Sequence, residues 1–486
     1  MLKIRISSPR LQARATRPAS RIAIIGGGYT GAIIAKLLVE RGLRDVEEIT
    51  VFEPRDQLGC GLAYDAQNND VRLNVAAHRM RAIPGAPTAF LDWLQTSGTL
   101  TVDPQAITQE GIFARRRDFG RFMQAQLAPF LDSGAICHVR QAVRTVDRQN
   151  EQWRITCSSV DTTLADILIL ATGHPPASRS AVLDRLNPVT AARVSDVFAL
   201  NAFNGIGNSD PILIVGSGLT AIDALSRLNA IGHNGNVTLL SRTGLTPRPH
   251  AGGGFSPFGD FRSTELTSAR KLLAKVRATI ADAQAQGIPW QSVFDALRQH
   301  AQELWQGLPT GERQKFLRRL RRFYDVHRYR MPPQGAAILE LGLDTGRVRV
   351  ERGDLTSIAQ DGQSLLAAIE TRNGRTEVRC RRILLATGPE SRSYAIHQRF
   401  LLGMNRDGLI QSDQFGLGLA CDTVGRTLTV SGAPNTSLFI AGPPARPALG
   451  ELTGVPEIAA QAVNMVDRII HCCARETRTI VISPSV

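Results

Sequence analysis

The chain has 486 residues, of which 43% are hydrophobic and 21% are charged, the proportions of an ordinary globular protein. This length favours two or three domains. No apolar run reaches the roughly 20 residues that cross a bilayer, so no membrane partner is expected. The formal net charge of +14 would suit nucleic acid, but aromatic residues are only 5% and no recognition motif accompanies the charge. Anionic cofactors or an anionic substrate explain it better.

The N-terminal segment and the cysteines limit where the protein works. Residues 1–20 are basic and contain no acidic side chain, which predicts a disordered extension or, as the alternative, an organellar transit peptide. The chain has seven cysteines but no C-x-x-C pair, so neither a zinc site nor a thiol–disulfide centre is predicted. Reduced thiols and a cytoplasmic location are the simplest interpretation.

A glycine-rich turn follows the first apolar run. Residues 21–25 read as a buried parallel strand, and the sequence Gly26-Gly-Gly-Tyr-Thr-Gly31 leads from it into a helix. In such a turn Gly26 allows the tight bend, Gly28 lets the backbone approach a pyrophosphate and Gly31 allows close helix–strand packing. The next strand ends at Glu53, which is placed to accept from a ribose hydroxyl, so this turn predicts the adenosine half of FAD.

The same unit recurs about 190 residues later. A second apolar strand precedes Gly216-Ser-Gly218-Leu-Thr-Ala221, and its following strand ends at Ser241-Arg242 instead of a carboxylate. Arginine pairs well with a 2′-phosphate, so this copy predicts NADPH with NADH as the alternative. Each copy then closes on a hairpin and a strand ending in A-T-G, at 171–173 and 386–388.

The predicted architecture is α/β, with two Rossmann-like dinucleotide-binding domains of the flavoprotein monooxygenase or reductase type and a helical insertion. Residues 21–205 and 391–486 are assigned to the FAD-binding domain, and 206–250 with 336–390 to the NAD(P)-binding domain. Helical patterns over 266–286, 290–307 and 311–324 make 251–335 an insertion and a predicted substrate cap. The candidate substrate-binding residues His327, Arg328 and Arg330 stand at its end, before a Pro pair.

Several further segments resemble a known family. They include Gly59-Cys-Gly-Leu-Ala-Tyr64, Arg117-Asp-Phe-Gly-Arg-Phe122 and Leu438-Phe-Ile-Ala-Gly-Pro-Pro-Ala-Arg446, and together with others they extend over about 21–465. In these segments the chain resembles the bacterial FAD/NAD(P)-binding flavoproteins with two dinucleotide domains. Many flavoproteins of this kind place an Asp after the glycine that corresponds to Gly442, but here Pro443 follows. Backbone groups near Gly442 or the helix after Thr453 would have to contact the flavin instead.

The resemblance implies a monooxygenase that consumes NAD(P)H and O₂ and hydroxylates a small substrate through a flavin C4a-hydroperoxide. One activity associated with the family is FAD-dependent urate hydroxylation, and urate is an anion that His327 and its neighbouring arginines would suit. The alternatives are an N-hydroxylating or Baeyer–Villiger-type monooxygenase, or a non-catalytic, redox-responsive flavoprotein. No catalytic triad is visible, which is consistent with chemistry carried by the cofactor.

Overall fold

The computed structural model describes residues 20–41, 46–65, 71–157, 161–178, 180–262 and 265–476. The predicted N-terminal extension therefore lies outside the described residues except for Ser20. The strands, in chain order, are β1 Ser20–Ile25, β2 Val46–Phe52, β3 Ile107–Thr108, β4 Gly111–Ile112, β5 Cys137–Val139, β6 Val143–Gln149, β7 Gln152–Cys157, β8 Thr162–Ala165, β9 Ile167–Leu170, β10 Val194–Asp196, β11 Ile212–Val215, β12 Val237–Ser241, β13 Val348–Arg352, β14 Asp354–Asp361, β15 Ser364–Thr371, β16 Gly374–Cys380, β17 Arg382–Leu385, β18 Arg426–Leu428 and β19 Pro434–Ile440.

The helices complete the chain. They are α1 Tyr29–Glu40, α2 Ala89–Thr96, α3 Thr99–Val102, α4 Arg116–Asp132, α5 Ala181–Asp184, α6 Pro188–Ala191, α7 Leu219–Ala230, α8 Ala269–Ala285, α9 Trp290–Gln299, α10 Ala301–Gly307, α11 Thr310–Arg319, α12 Arg321–Arg328, α13 Pro333–Asp344, α14 Arg399–Arg406, α15 Arg446–Leu449 and α16 Val455–Glu476. None of the described helices is long and apolar enough to cross a membrane.

Two mainly parallel sheets carry the predicted repeat. The first has the order β18-β19-β9-β1-β2-β5, and the second has the order β10-β17-β11-β12-β13. In both, the strand before the glycine turn lies between the strand that ends in A-T-G and the strand that follows the first helix. The separate antiparallel sheets β6-β7-β8 and β14-β15-β16 stand at the same place in each copy. The α/β fold with two Rossmann-like units is thereby confirmed.

The sequence explains why these strands occupy sheet centres. Ile22, Ile24 and Leu168 are fully buried, and the continuous apolar runs of β1 and β9 are what a parallel strand covered by helices on both faces requires. The chain enters the second sheet already at Val194, earlier than the predicted boundary at residue 205. It returns to the first sheet only through β18 and β19.

The insertion between β12 and β13 is helical, but its helices are shorter than predicted. The helix expected over 290–307 is broken at His300, and the one expected over 311–324 ends at Arg319 and restarts after Leu320. His300 has φ −109° and ψ 6°, outside the helical region, so the chain changes direction there. These helices enclose their own apolar core, which includes Phe261, Leu272 and Val293.

Candidate flavin and nicotinamide sites

The first glycine turn admits no side chain at two of its positions. Gly26 has φ +105°, and a Cβ there would lie 2.3 Å from the carbonyl oxygen of Ala171. A Cβ on Gly31 would lie 1.9 Å from the carbonyl oxygen of Gly26. Gly28 precedes α1, and no side chain caps that helix. The N–H groups of its first turn are therefore available to an anion, and the helix dipole favours negative charge at this end.

Glu53 supports this turn from the end of β2. Its side chain is buried, and Oε2 accepts a 3.0 Å hydrogen bond from the backbone N–H of Gly27. Its other oxygen, Oε1, accepts from the backbone N–H and from the guanidinium of Arg55, each at 3.1 Å. A carboxylate oxygen can accept more than one hydrogen bond, so Glu53 fixes the turn and keeps acceptor capacity for a ribose hydroxyl.

The second glycine turn has the same backbone but a different polar partner. Gly216 has φ +127°, and a Cβ there would lie 2.2 Å from the carbonyl oxygen of Ala386. Gly218 precedes α7 with open space around it, and Ala221 is fully buried in the first turn of that helix. In place of a carboxylate, Ser217 Oγ lies 2.8 Å from Ser241 Oγ. No acidic side chain therefore occupies the position that Glu53 has in the first copy.

Two arginines meet at the end of β12. Arg242 is exposed, and Nε of Arg352 donates a 3.3 Å hydrogen bond to its carbonyl oxygen. Arg352 ends β13, where it is the register partner of Ser241. Sequence reasoning missed Arg352, because only the pairing of β12 with β13 brings it beside Arg242. The two guanidinium groups suit a 2′-phosphate.

Gly442 lies where the end of β19 approaches α1. It has φ +72°, and a Cβ there would lie 2.6 Å from Oγ1 of Thr30. Its N–H donates a 2.8 Å hydrogen bond to Oε1 of the buried Gln461 on α16. The glycine predicted from the late segment is thus required by a close approach to the first turn of α1, and α16 holds its backbone in place.

The structure separates the three predicted substrate-binding residues. Arg328 forms ion pairs with Glu451 and, at 3.5 Å, with Glu457, and Arg330 forms one with Asp295. Both guanidinium groups are buried, and neither residue lines the cavity of the insertion. Their carboxylate partners fasten the insertion, and a role of these two arginines in substrate binding stays a prediction from the sequence.

His327 does line a cavity, which the insertion encloses. The cavity measures about 380 Å³, within the size range of small-molecule sites. Its walls come from α8–α12 and are chiefly apolar, with Leu272, Val276, Phe294, Trp305, Phe316 and Leu320 among them. The imidazole of His327 packs against Phe294 and Trp290, with ring centroids 5.1 and 4.9 Å away. Phe323 lines this cavity as well.

Comparison with known protein families agrees with the prediction that the first glycine turn binds a dinucleotide. Residues 23–175 match the FAD-NAD(P)-binding family. The match includes the first glycine turn and Glu53, and it agrees with the FAD and nicotinamide nucleotide expected from the sequence. No curated protein sequence matches the chain significantly.

Solved structures resemble this chain over nearly its whole length. L-lysine 6-monooxygenase from Pseudomonas syringae superposes with a TM-score of 0.63 at 17% identity, covering 93% of this chain and 99% of that one. Ornithine hydroxylase from Pseudomonas aeruginosa gives 0.62 at 13% identity, with the same coverage. An ornithine N-hydroxylase from Kutzneria sp. 744, solved with reduced FAD, NADP⁺ and L-ornithine, gives 0.59 at 13% identity and covers 94% of this chain and 100% of that one. At these identities the likeness establishes the fold.

A cleft residue that sequence reasoning did not single out is His174, which follows the A-T-G of β9. It is accessible to solvent, yet burial by the surrounding protein and the nearby charge of Arg446 lower its pKa to about 4. Solvent reaches the imidazole of His174, yet protein surrounds it closely, so the side chain lies in a cleft. Nδ1 of His174 is 3.3 Å from the hydroxyl of the buried Tyr394. The carboxyl ends of the parallel strands meet here, where this fold class binds its ligands.

The residues present fit FAD. The first turn of α1 offers N–H groups, Glu53 offers acceptors, and the glycines leave room for backbone approach. Thr172 adds a second observation, because its Oγ1 is buried and has no hydrogen-bond partner among the described residues. Its counterpart in the second copy, Thr387, donates to the carbonyl oxygen of Ser178 at 2.7 Å. A buried hydroxyl without a partner is costly, and a ligand in the cleft would supply one.

Proposed function

We propose that the protein is an FAD-dependent monooxygenase that consumes NADPH and O₂ and hydroxylates the nitrogen of a small amine. The observation that carries the proposal is the superposition on N-hydroxylating enzymes, which covers over nine-tenths of this chain and nearly all of theirs, insertion included. A fold hosts more than one chemistry, so the glycine turns and the cleft carry the argument further.

The side chains of the proposed enzyme bind and orient the cofactors. FAD, when bound, would supply the redox chemistry that activates oxygen. The helix α1 and Glu53 would hold its pyrophosphate and ribose, while Gly442 and Gln461 fix the backbone beside the first turn of α1. His174, neutral near pH 7 because its pKa is about 4, presents a hydrogen-bonding group without positive charge in the cleft.

NADPH is favoured over NADH on electrostatic grounds. The 2′-phosphate adds negative charge where Arg242 and Arg352 stand, and no carboxylate of the described residues takes the place that would repel it. A charge-assisted, bidentate contact of this kind is stronger than a neutral hydrogen bond. The choice of NADPH is therefore part of the proposal.

Two other activities have less support. Urate, the substrate suggested by the family resemblance, is polar around its whole edge, and the chiefly apolar cavity offers it few partners. It remains a prediction from the sequence. A disulfide reductase needs two neighbouring cysteines, but among the described residues Cys60, Cys157, Cys380 and Cys421 are separate, buried thiols.

The test is a visible spectrum of the purified protein followed by oxygen-coupled turnover. We expect a yellow protein whose flavin is bleached by NADPH in the absence of oxygen. With oxygen and a panel of amines, NADPH oxidation should accelerate and a hydroxylamine should form. A flavin-free protein that takes up no FAD would overturn the cofactor assignment. Stimulation by urate, with no amine active, would replace N-hydroxylation by the alternative from the sequence.

A further inference from the structure

The cavity of the insertion is chiefly apolar, and polar groups meet at the end where the first dinucleotide unit closes it. Arg321, Tyr324, Asp325 and Tyr329 reach this end from the insertion, and Arg446 and Glu451 from the segment after β19. The two halves are locked together, since Nε1 of Trp305 donates to the carbonyl oxygen of Pro447 at 2.8 Å. The polar end therefore lies at the junction of the insertion with the FAD-NAD(P)-binding unit.

Arg446 differs from the other charged groups at this end. Arg321 pairs with Asp325 at 3.4 Å, and Arg328 pairs with Glu451, which also accepts from the hydroxyl of Tyr324. The Nε of Arg446 donates to the carbonyl oxygen of Gly450 at 3.2 Å, and no carboxylate in the described part of the chain forms an ion pair with it. Around this end the guanidinium groups of Arg298, Arg321, Arg328 and Arg446 thus face the three carboxylates of Asp325, Glu451 and Glu457. Among these four arginines of the described chain, Arg446 is the one that lines the cavity without an ion pair.

Arg446 also borders the cleft expected to hold FAD. Its positive charge contributes, after burial, to lowering the pKa of His174, and it acts on the hydroxyl of Tyr394 as well. These two residues are in contact with each other at the carboxyl end of β9. A ligand held by Arg446 would therefore have its charged end toward the cleft and its remainder in the apolar cavity.

We propose that the cavity binds an α-amino acid with a large apolar side chain, whose carboxylate pairs with Arg446. A half-buried guanidinium without a partner carbonyl or carboxylate on its remaining N–H groups is complementary to a carboxylate. The apolar walls take the side chain, and the α-amine, next to the carboxylate, lies on the side of the cleft. That the amine is then oxidised rests on the proposed function, whereas binding of the apolar acid does not.

The test is a calorimetric titration of the FAD-loaded protein with ligands of similar shape. L-phenylalanine and 3-phenylpropanoate carry the carboxylate, and 2-phenylethylamine lacks it. We expect the two acids to bind and the amine to bind at least tenfold more weakly. L-ornithine, which cannot fill the apolar walls, should bind more weakly than L-phenylalanine. Equal affinity for 3-phenylpropanoate and 2-phenylethylamine, or tighter binding of urate or L-ornithine, would overturn the assignment.

Two variants locate the binding. Arg446→Gln should weaken 3-phenylpropanoate roughly tenfold to hundredfold, as loss of a charged hydrogen-bonded pair does, and leave 2-phenylethylamine little changed. Arg313→Gln is the matched control, because this arginine lies over the ring of the cavity-lining Trp305, 5.3 Å from its centroid, but does not itself line the cavity. Should Arg446→Gln fail to fold, Val276→Trp fills the cavity body from α8 and should abolish binding of both acids.

The readouts keep this inference apart from the proposed function. Binding of apolar acids without hydroxylamine formation would uphold the cavity assignment and overturn the N-hydroxylase. Hydroxylamine formation from an amine that Val276→Trp does not affect would uphold the N-hydroxylase and overturn the cavity assignment.

Discussion

The two glycine turns have the same backbone arrangement but carry side chains of opposite charge at the end of the following strand. In the first, Glu53 holds the turn through the N–H of Gly27 and leaves an acidic group where a ribose would lie. In the second, the serine pair of Ser217 and Ser241 takes that place, and Arg242 and Arg352 stand beside it. The strands β9-β1-β2-β5 of the first unit and β17-β11-β12-β13 of the second have the same order. On the proposed function, a few side chains at strand ends would set the choice of cofactor, while the backbone would set only that a dinucleotide can bind.

The largest expected effect comes from filling the space that the first turn keeps open. Gly31→Val places a Cβ 1.9 Å from a backbone oxygen, so we expect a loss of about 1–3 kcal/mol in unfolding free energy and loss of bound FAD. Gly218→Ala in the second turn is the comparison, because its Cβ meets nothing within 4 Å. The Gly218→Ala variant should retain bound FAD and its unfolding free energy, and only its affinity for the nicotinamide nucleotide should fall. Flavin absorbance measures the FAD content, and denaturant unfolding measures the stability. A Gly31→Val protein with full flavin content would contradict the packing argument.

Removing the charge of Glu53 tests the polar half of the comparison. Glu53→Gln leaves the Arg55 guanidinium without its carboxylate, and we expect FAD affinity to fall roughly tenfold. Ser241→Ala, the corresponding change in the second copy, removes a neutral hydrogen bond and should cost less, about 0.5–1.5 kcal/mol in stability, with FAD binding retained. Equal loss of FAD in the two variants would show that the copies are not specialised. Fluorescence titration of the apoprotein with FAD gives the affinities.

The arginine pair predicts which nicotinamide the second copy accepts. Arg242→Ala and Arg352→Ala should each raise KM for NADPH roughly tenfold and leave KM for NADH unchanged, because only NADPH has the 2′-phosphate. Arg375→Ala, an exposed change on β16, serves as the control. Steady-state kinetics with both nucleotides decides the matter. If KM for NADH rises as much as KM for NADPH, the arginines act on the pyrophosphate or on stability.

The smallest effect concerns the residue after each A-T-G, which is His174 in one copy and Pro389 in the other. Because burial lowers the pKa of His174 to about 4 from 6.5, the unfolded chain takes up this proton more readily than the folded one. The wild-type protein should thus lose stability between pH 6.5 and 4, and His174→Gln should lack this part of the loss. We expect the Tm difference, variant minus wild type, to be more positive at pH 5 than at pH 8. A Tm difference independent of pH would show that His174 titrates normally.

The parts of the fold that sequence predicts are those encoded locally. A Cβ on Gly26 or Gly216 would meet the backbone just after the strand that closes each copy, and the A-T-G repeat marks that strand in the sequence. The substrate side depends on distant pairing. Arg328 forms an ion pair with Glu451, which lies over a hundred residues later in the chain. The sequence alone therefore does not show that its charge is paired within the protein. Arg446 stood in a segment chosen for its glycine, and only the packed insertion shows that its charge is unmatched.

The first sheet is discontinuous along the chain, and this bears on how the protein is made. All strands of the second sheet lie between Val194 and Leu385, whereas β18 and β19 of the first sheet, with Gly442 and Gln461, come after residue 425. On the ribosome the second unit can complete its hydrogen bonding while the first still waits for its last strands. Flavin capture is then a late event that reports the arrival of the C-terminal segment, and a prematurely ended chain would be colourless while part of it is already folded.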